Sequence, residues 1–167
     1  MTSLTLRTIT LLGATITTGL ATGAFALYAH TIMPGLRRTD DRTFVGAFQA
    51  MDRAIINPWF MAGGFVGALV STAVAAVANR HQPALGWIVA ALVLYVVACG
   101  VTVTVHVPLN DALKAAGDPD RIADLAGVRH QFHEARWAAW NLARTVVSLG
   151  AFGCLAWALV LHGRATA

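Results

Sequence analysis

The stretch LGWIVAALVLYVVACGVTVTVHV, residues 85–107, runs without a single Asp, Glu, Lys or Arg. A bilayer core about 30 Å thick is crossed by roughly 20 helical residues rising about 1.5 Å each, so this stretch predicts a membrane span. Outward from it, residues 9–33, 58–78 and 138–161 are also long and apolar enough to cross. A chain of 167 residues that is 57% hydrophobic and 12% charged needs lipid as part of its solvent. The expected fold is all-α, a membrane four-helix bundle forming one domain over residues 1–167.

The N-terminal stretch has to be tested as a secretory signal, because Arg7 precedes it and Ala24-Phe25-Ala26 resembles a cleavage site. A signal core is about 7–15 residues long. This run continues to Met33, before Pro34 and Gly35 are expected to stop it, and is read as a span. Cys99 and Cys154 fall deep inside the third and fourth spans with no CxxC spacing, which argues against a disulfide framework.

A net charge of +4 and a pI near 9.8 would suggest nucleic acid in a soluble protein. Here the basic residues flank spans, so they are topology signals and no nucleic-acid partner is expected. Arg7, Arg80 and Arg164 lie on one side; Arg37, Arg38, Arg42, Arg53, Lys114, Arg121, Arg129 and Arg136 lie on the other. The positive-inside rule puts both long loops in the cytoplasm and both termini outside.

Both loops carry structure. Phe44, Phe48, Met51 and Ile55 recur at helical spacing, predicting an amphipathic interfacial helix within residues 39–57. Asn57-Pro58 starts the second span, with Pro where its missing N–H does no harm. Asp118-Pro119 is a similar start signal, from which one unbroken helix is expected to run from residue 120 to 161.

Polar residues in the spans need a reason. At about 100° per residue, His130, His133, Trp137, Trp140, Asn141 and Arg144 share one helical face, with Glu134 at its edge. An Arg at the centre of a span costs about 2.5–3.5 kcal/mol. Arg144 lies roughly 9 Å inside the span by helical rise, close enough for snorkelling to compete with a functional role. Asn141 cannot snorkel and needs partners inside the bundle.

The third span places Tyr95, Cys99, Thr102 and His106 on one face and then breaks at Val107-Pro108-Leu109-Asn110. In the first, Gly19, Gly23 and Ala26 form a small-residue packing seam ending at His30. Four histidines, His30, His106, His130 and His133, are thus expected at one level, where neutral imidazoles would suit a transition metal or haem iron. Alternatively the His, Asn, Arg and Trp residues bind an anionic or aromatic organic ligand directly and no cofactor is needed. Arg144 would meet a phenolate or carboxylate, and the indoles a ring face. Trp137 and Trp140 also fit an interfacial aromatic belt.

Several segments together resemble the anthrone oxygenase family, a domain of unknown function in most bacterial members. They are Pro34-Gly35-Leu36, Phe48-Gln49-Ala50-Met51, Asn57-Pro58, Val107-Pro108-Leu109-Asn110 and Trp137-x-x-Trp140-Asn141-x-x-Arg144-Thr145. The resemblance extends over nearly the whole chain and implies four spans in a bacterial plasma membrane. It also implies an oxidoreductase acting on a lipophilic aromatic, anthrone- or quinone-like compound.

On that reading His106 or His133 is the base, Arg144 and Asn141 stabilise an oxyanion, and Trp137, Trp140, Asn110 and Tyr95 bind the ligand. Competing readings are a haem- or quinone-binding electron carrier and a non-catalytic membrane subunit. Transport has least support, because no inverted repeat is visible. Gly63, Gly64 and Gly67 offer a close-packing face for the monomer or for a homo-oligomer.

Overall fold

The computed structural model describes residues 2–166, and among these there are five helices and no strand. α1 covers residues 2–36, α2 is Asp41–Ile55, α3 is Pro58–Ala78, α4 is Leu85–Ala115 and α5 is Leu125–Arg164. Four of them, α1, α3, α4 and α5, are long and apolar enough to cross a membrane, and the protein is an integral membrane protein. α2 is the amphipathic helix expected in the first long loop.

The spans are tied together by alanine at seven-residue spacing. Ala14 and Ala21 on α1, Ala68 and Ala75 on α3, Ala84, Ala91 and Ala98 at and along α4, and Ala151 and Ala158 on α5 are all buried. Small side chains at a heptad interval let helix backbones approach closely without the hydrophobic effect to drive them together. Leu11, Ile88, Tyr95 and Leu155 fill the space between. The seam on α1 therefore runs through Ala14, Thr18, Ala21 and Phe25, all buried, and not through Gly23, which is exposed. Gly19 stands beside it and makes room for the Phe152 ring, 3.0 Å from where a Cβ would sit.

Two prolines expected to end helices lie inside them. α1 continues past Pro34 to Leu36, and α4 past Pro108 to Ala115. Each proline follows directly on a π-helical turn, Tyr28–Ile32 in α1 and Thr102–His106 in α4. Proline removes one helical hydrogen bond and crowds the carbonyl four residues back. The wider turn re-registers the ladder ahead of it, so proline takes the first or second position of the next α-helical segment, where no N–H is needed.

α3 carries a third π turn, Met61–Phe65. There the Ala62 carbonyl points to where a Cβ on Gly67 would lie, so the turn requires glycine at this position. Gly67 thus serves its own helix, whereas Gly64 is the buried member of the expected glycine face.

α5 does not start at residue 120 and is not unbroken. It begins at Leu125, capped by Asp124, and is interrupted at Phe132 and His133. His133 has φ 51°, a left-handed conformation uncommon outside glycine. It caps the long segment Glu134–Arg164, where the Trp137 N–H donates to its carbonyl at 3.0 Å.

α2 is docked onto the end of the bundle. Its Phe44 and Phe48 are buried against Phe132 and Trp137, while Met51 and Ile55 are half-buried. Gln49 Nε2 donates to the carbonyls of Leu113 and Gly117 at 2.8 and 3.0 Å. The helix starts at Asp40, whose carboxylate accepts from the Thr43 amide at 3.0 Å and its hydroxyl at 2.7 Å. These bonds, the hydroxyl's first, hold the exposed Asp40 carboxyl below its usual range.

Candidate functional site

A cavity of about 200 Å³ opens at the loop end of the bundle, bounded by all five helices. Each π turn supplies part of its wall. Tyr28 opens the turn in α1, Met61 and Phe65 bound the one in α3, and Thr102 and His106 bound the one in α4. An extra residue in a turn redirects the side chains around it, and such turns recur at functional sites. α5 adds Trp137 and Arg144, and α2 closes the cavity with Phe48 and Asp52.

Arg144 is the electrostatic centre. It is only 7% exposed, and its Nε and Nη2 donate to Asn141 Oδ1 at 3.1 and 2.9 Å. Nη1 donates to Thr102 Oγ1 at 3.0 Å, and that hydroxyl donates onward to the Ala98 carbonyl at 2.9 Å. The guanidinium also lies over the Phe25 ring, 4.2 Å from its centroid. Every protein partner of Arg144 is neutral. The ion pairs found among the described residues use Arg37, Arg42, Lys114, Arg121 and Arg129, and none uses Arg144. A cation kept in an apolar interior without a counter-ion is a place for an anion.

His106 ends the α4 π turn, is 1% exposed, and makes no hydrogen bond through either ring nitrogen. Burying such a group unpaired costs about 1–3 kcal/mol, a cost expected where the group is kept for a ligand. Its ring meets the Trp137 indole edge to face at 4.9 Å. The indole in turn donates from Nε1 to Asn110 Oδ1 at 2.8 Å, and Asn110 Nδ2 donates to Asp52 Oδ1 at 2.6 Å. Lys114 Nζ pairs with the other Asp52 oxygen at 2.7 Å. This chain links α2, α4 and α5 across the loop end.

The residues expected at the site divide. His106, Asn110, Trp137 and Arg144 line the cavity. Asn141 stands behind Arg144, its Nδ2 spent on the Phe25 carbonyl at 3.1 Å and its Oδ1 on the guanidinium. Tyr95 is a layer deeper, buried in the alanine core, where its hydroxyl donates to the Phe65 carbonyl at 3.1 Å. Trp140 is 43% exposed and points away from the bundle.

His30, His130 and His133 are exposed and do not join His106. His30 bonds its neighbour Thr31 at 2.6 Å, and His130 and His133 face each other on the surface at 6.2 Å. Among the described residues no three His, Cys, Asp or Glu side chains are grouped so as to hold a metal ion. The expected stripe assumed one helix through residue 133, and the left-handed His133 resets the phase there. The same break leaves His133 outside the cavity.

Asp52 and Tyr28 were not singled out from the sequence. Asp52 had a visible signal, because it continues the Phe44 and Phe48 stripe at the same four-residue step, placing an acid on an apolar face. Tyr28 had none, since its orientation depends on the π turn that it opens.

No match is found among curated proteins or among solved structures. The anthrone oxygenase family model matches residues 53–154, a narrower range than the nearly whole-chain resemblance of the sequence. It takes in α3, α4 and most of α5, with His106, Asn110, Trp137, Asn141 and Arg144, and leaves out α1 and nearly all of α2. That range is more than half of the chain, and the protein belongs to the anthrone oxygenase family.

Proposed function

We propose that the protein is a membrane oxidoreductase of the oxygenase type, acting on a lipophilic aromatic compound whose ketone oxygen can take up negative charge, as in an anthrone. The observation that carries this reading is the pair formed by Arg144, buried without a counter-ion, and His106, buried without a hydrogen bond. The basic loop side supports placing this end of the bundle at the cytoplasmic face of a bacterial plasma membrane.

An anthrone is a weak carbon acid. His106 takes a benzylic proton onto a ring nitrogen, and the electron pair moves through the ring system to the oxygen held by Arg144. Asn141 and Thr102 fix the guanidinium, so little reorganisation is needed as the charge develops. The electron-rich enolate reduces molecular oxygen and forms a C–O bond, giving a peroxide. That peroxide regains the proton from His106 and collapses to a ketone. Overall one CH₂ and one O₂ become one C=O and one H₂O. Trp137, Phe25 and Phe48 supply the ring-packing walls.

The test is oxygen uptake and anthraquinone absorbance from anthrone with protein in nanodiscs. His106→Ala is expected to lower turnover by about 10²- to 10⁴-fold while the protein stays folded, as expected for loss of a general base. Turnover at the unaltered rate in His106→Ala overturns the assignment.

A further inference from the structure

The wall of the cavity is sorted by polarity and exposure. Its charged and imidazole groups, Asp52, His106 and Arg144, are buried, and its smaller polar groups, Thr102 and Asn110, are half-buried. The lining residues that reach the surface openly are apolar: Ile56 at 61% and Val107 at 42% exposure. Ile56 sits in the two-residue turn between α2 and α3, and Val107 directly follows the π turn of α4. The mouth therefore lies beside the start of the α3 span, at the level of the boundary between headgroups and acyl chains.

Other parts of the wall are held by stronger contacts. Reaching the cavity from the aqueous loop side means separating Asp52 from Lys114 and Asn110, and Asn110 from Trp137. It also means parting the Phe48 and Phe132 rings, 4.6 Å apart. The two openly exposed lining side chains, Ile56 and Val107, are aliphatic, and exposed rotamers turn over on the ps–ns scale.

We propose that the cavity is loaded sideways from the bilayer, between Ile56 and Val107, by an uncharged aromatic weak acid that meets its counter-charge only at Arg144. Such amphiphilic rings concentrate at this depth of a membrane, polar end outward and ring inward. A permanently charged relative is held in water and cannot use the mouth. The proposal rests on the reading above for the orientation of the ligand at Arg144, and not for its oxidation.

Association kinetics test the route, because the equilibrium constant is the same whichever way a ligand enters. The probe is 2-naphthol, followed by its own fluorescence in stopped flow with protein in nanodiscs. Its water-confined relative 2-naphthol-6-sulfonate carries the same phenol. The naphthol is expected to associate readily and the sulfonate much more slowly.

Replacing Ile56→Trp and Val107→Trp together should slow association and dissociation alike, by about tenfold, leaving their ratio unchanged. Ile56→Ala with Val107→Ala, which widens the mouth, should speed both and reads the route even if the bulky pair misfolds. Sulfonate binding at a rate comparable to naphthol, rates indifferent to both variant pairs, or no naphthol binding at all overturns the proposal. Since binding is read without turnover, a failure of anthrone oxidation leaves this result standing or falling by itself.

Discussion

The two halves of the bundle are built from the same four helices by opposite rules. Towards the termini, the helices are regular and meet through Ala14, Ala75, Ala84, Ala91 and Ala158, so backbones lie close. Towards the loops, three of the four spans carry a π turn and the fourth is broken at His133. Each irregularity interrupts the ridge of side chains that would otherwise interdigitate with its neighbour. The helices no longer fit closely there, and the gap becomes a cavity whose walls carry groups that close packing would exclude. The contrast shows how an apolar bundle can hold a buried charge: one half is packed for stability, and the other gives some of it up for a site.

Substitutions on either side should separate the two roles. Of the three that follow, the largest effect is expected from Arg144→Met. Turnover of anthrone should fall by about 10²- to 10³-fold, as for loss of a fixed oxyanion donor. Stability in detergent should hold or rise, because an uncompensated buried ion is replaced by an apolar side chain of similar length. A variant that unfolds while its residual activity per folded molecule is normal would make Arg144 a packing residue and erase the contrast.

Ala91→Leu should do the reverse. Forcing a larger side chain into a fully buried seam position costs about 1–3 kcal/mol, read as a lower thermal midpoint, with turnover per folded molecule near that of the parent. Lost turnover at unchanged stability would mean that the halves are not independent.

The smallest effect concerns how α2 is held over the loop half. The Asp40 carboxyl is depressed from its ordinary 3.8 by its bonds to Thr43. The ionised form is favoured in the fold, so its contribution is complete above the unfolded value and fades as pH falls through the lower folded one. Amide exchange within α2 should accelerate below about pH 4 in the parent, the range of an ordinary Asp. In Asp40→Asn, which caps without titrating, this acceleration should be absent. Equal acid sensitivity in both would detach α2 from its cap.

Much of the site could be read directly. His106, Trp137, Asn141 and Arg144 are polar or aromatic residues at helical spacing in spans otherwise filled with Ala, Val and Leu, and all four are buried. The reading failed where the helix stopped being regular. Phase arithmetic carried His130 and His133 into the stripe across a residue that is left-handed in the fold. It likewise placed Trp140 on the inner arc, whereas contact with neighbouring spans leaves it exposed.

Composition and hydropathy by themselves determine that this chain spans a membrane four times, and Asn57-Pro58 by itself marks the start of α3, because transfer into lipid and helix capping depend on residues a few positions apart. Only tertiary structure decided that α2 covers the bundle, that Pro34 and Pro108 continue their helices, and that His106 and Arg144 share one cavity. Those outcomes depend on π turns and a left-handed residue, which are selected by what the neighbouring helices leave room for.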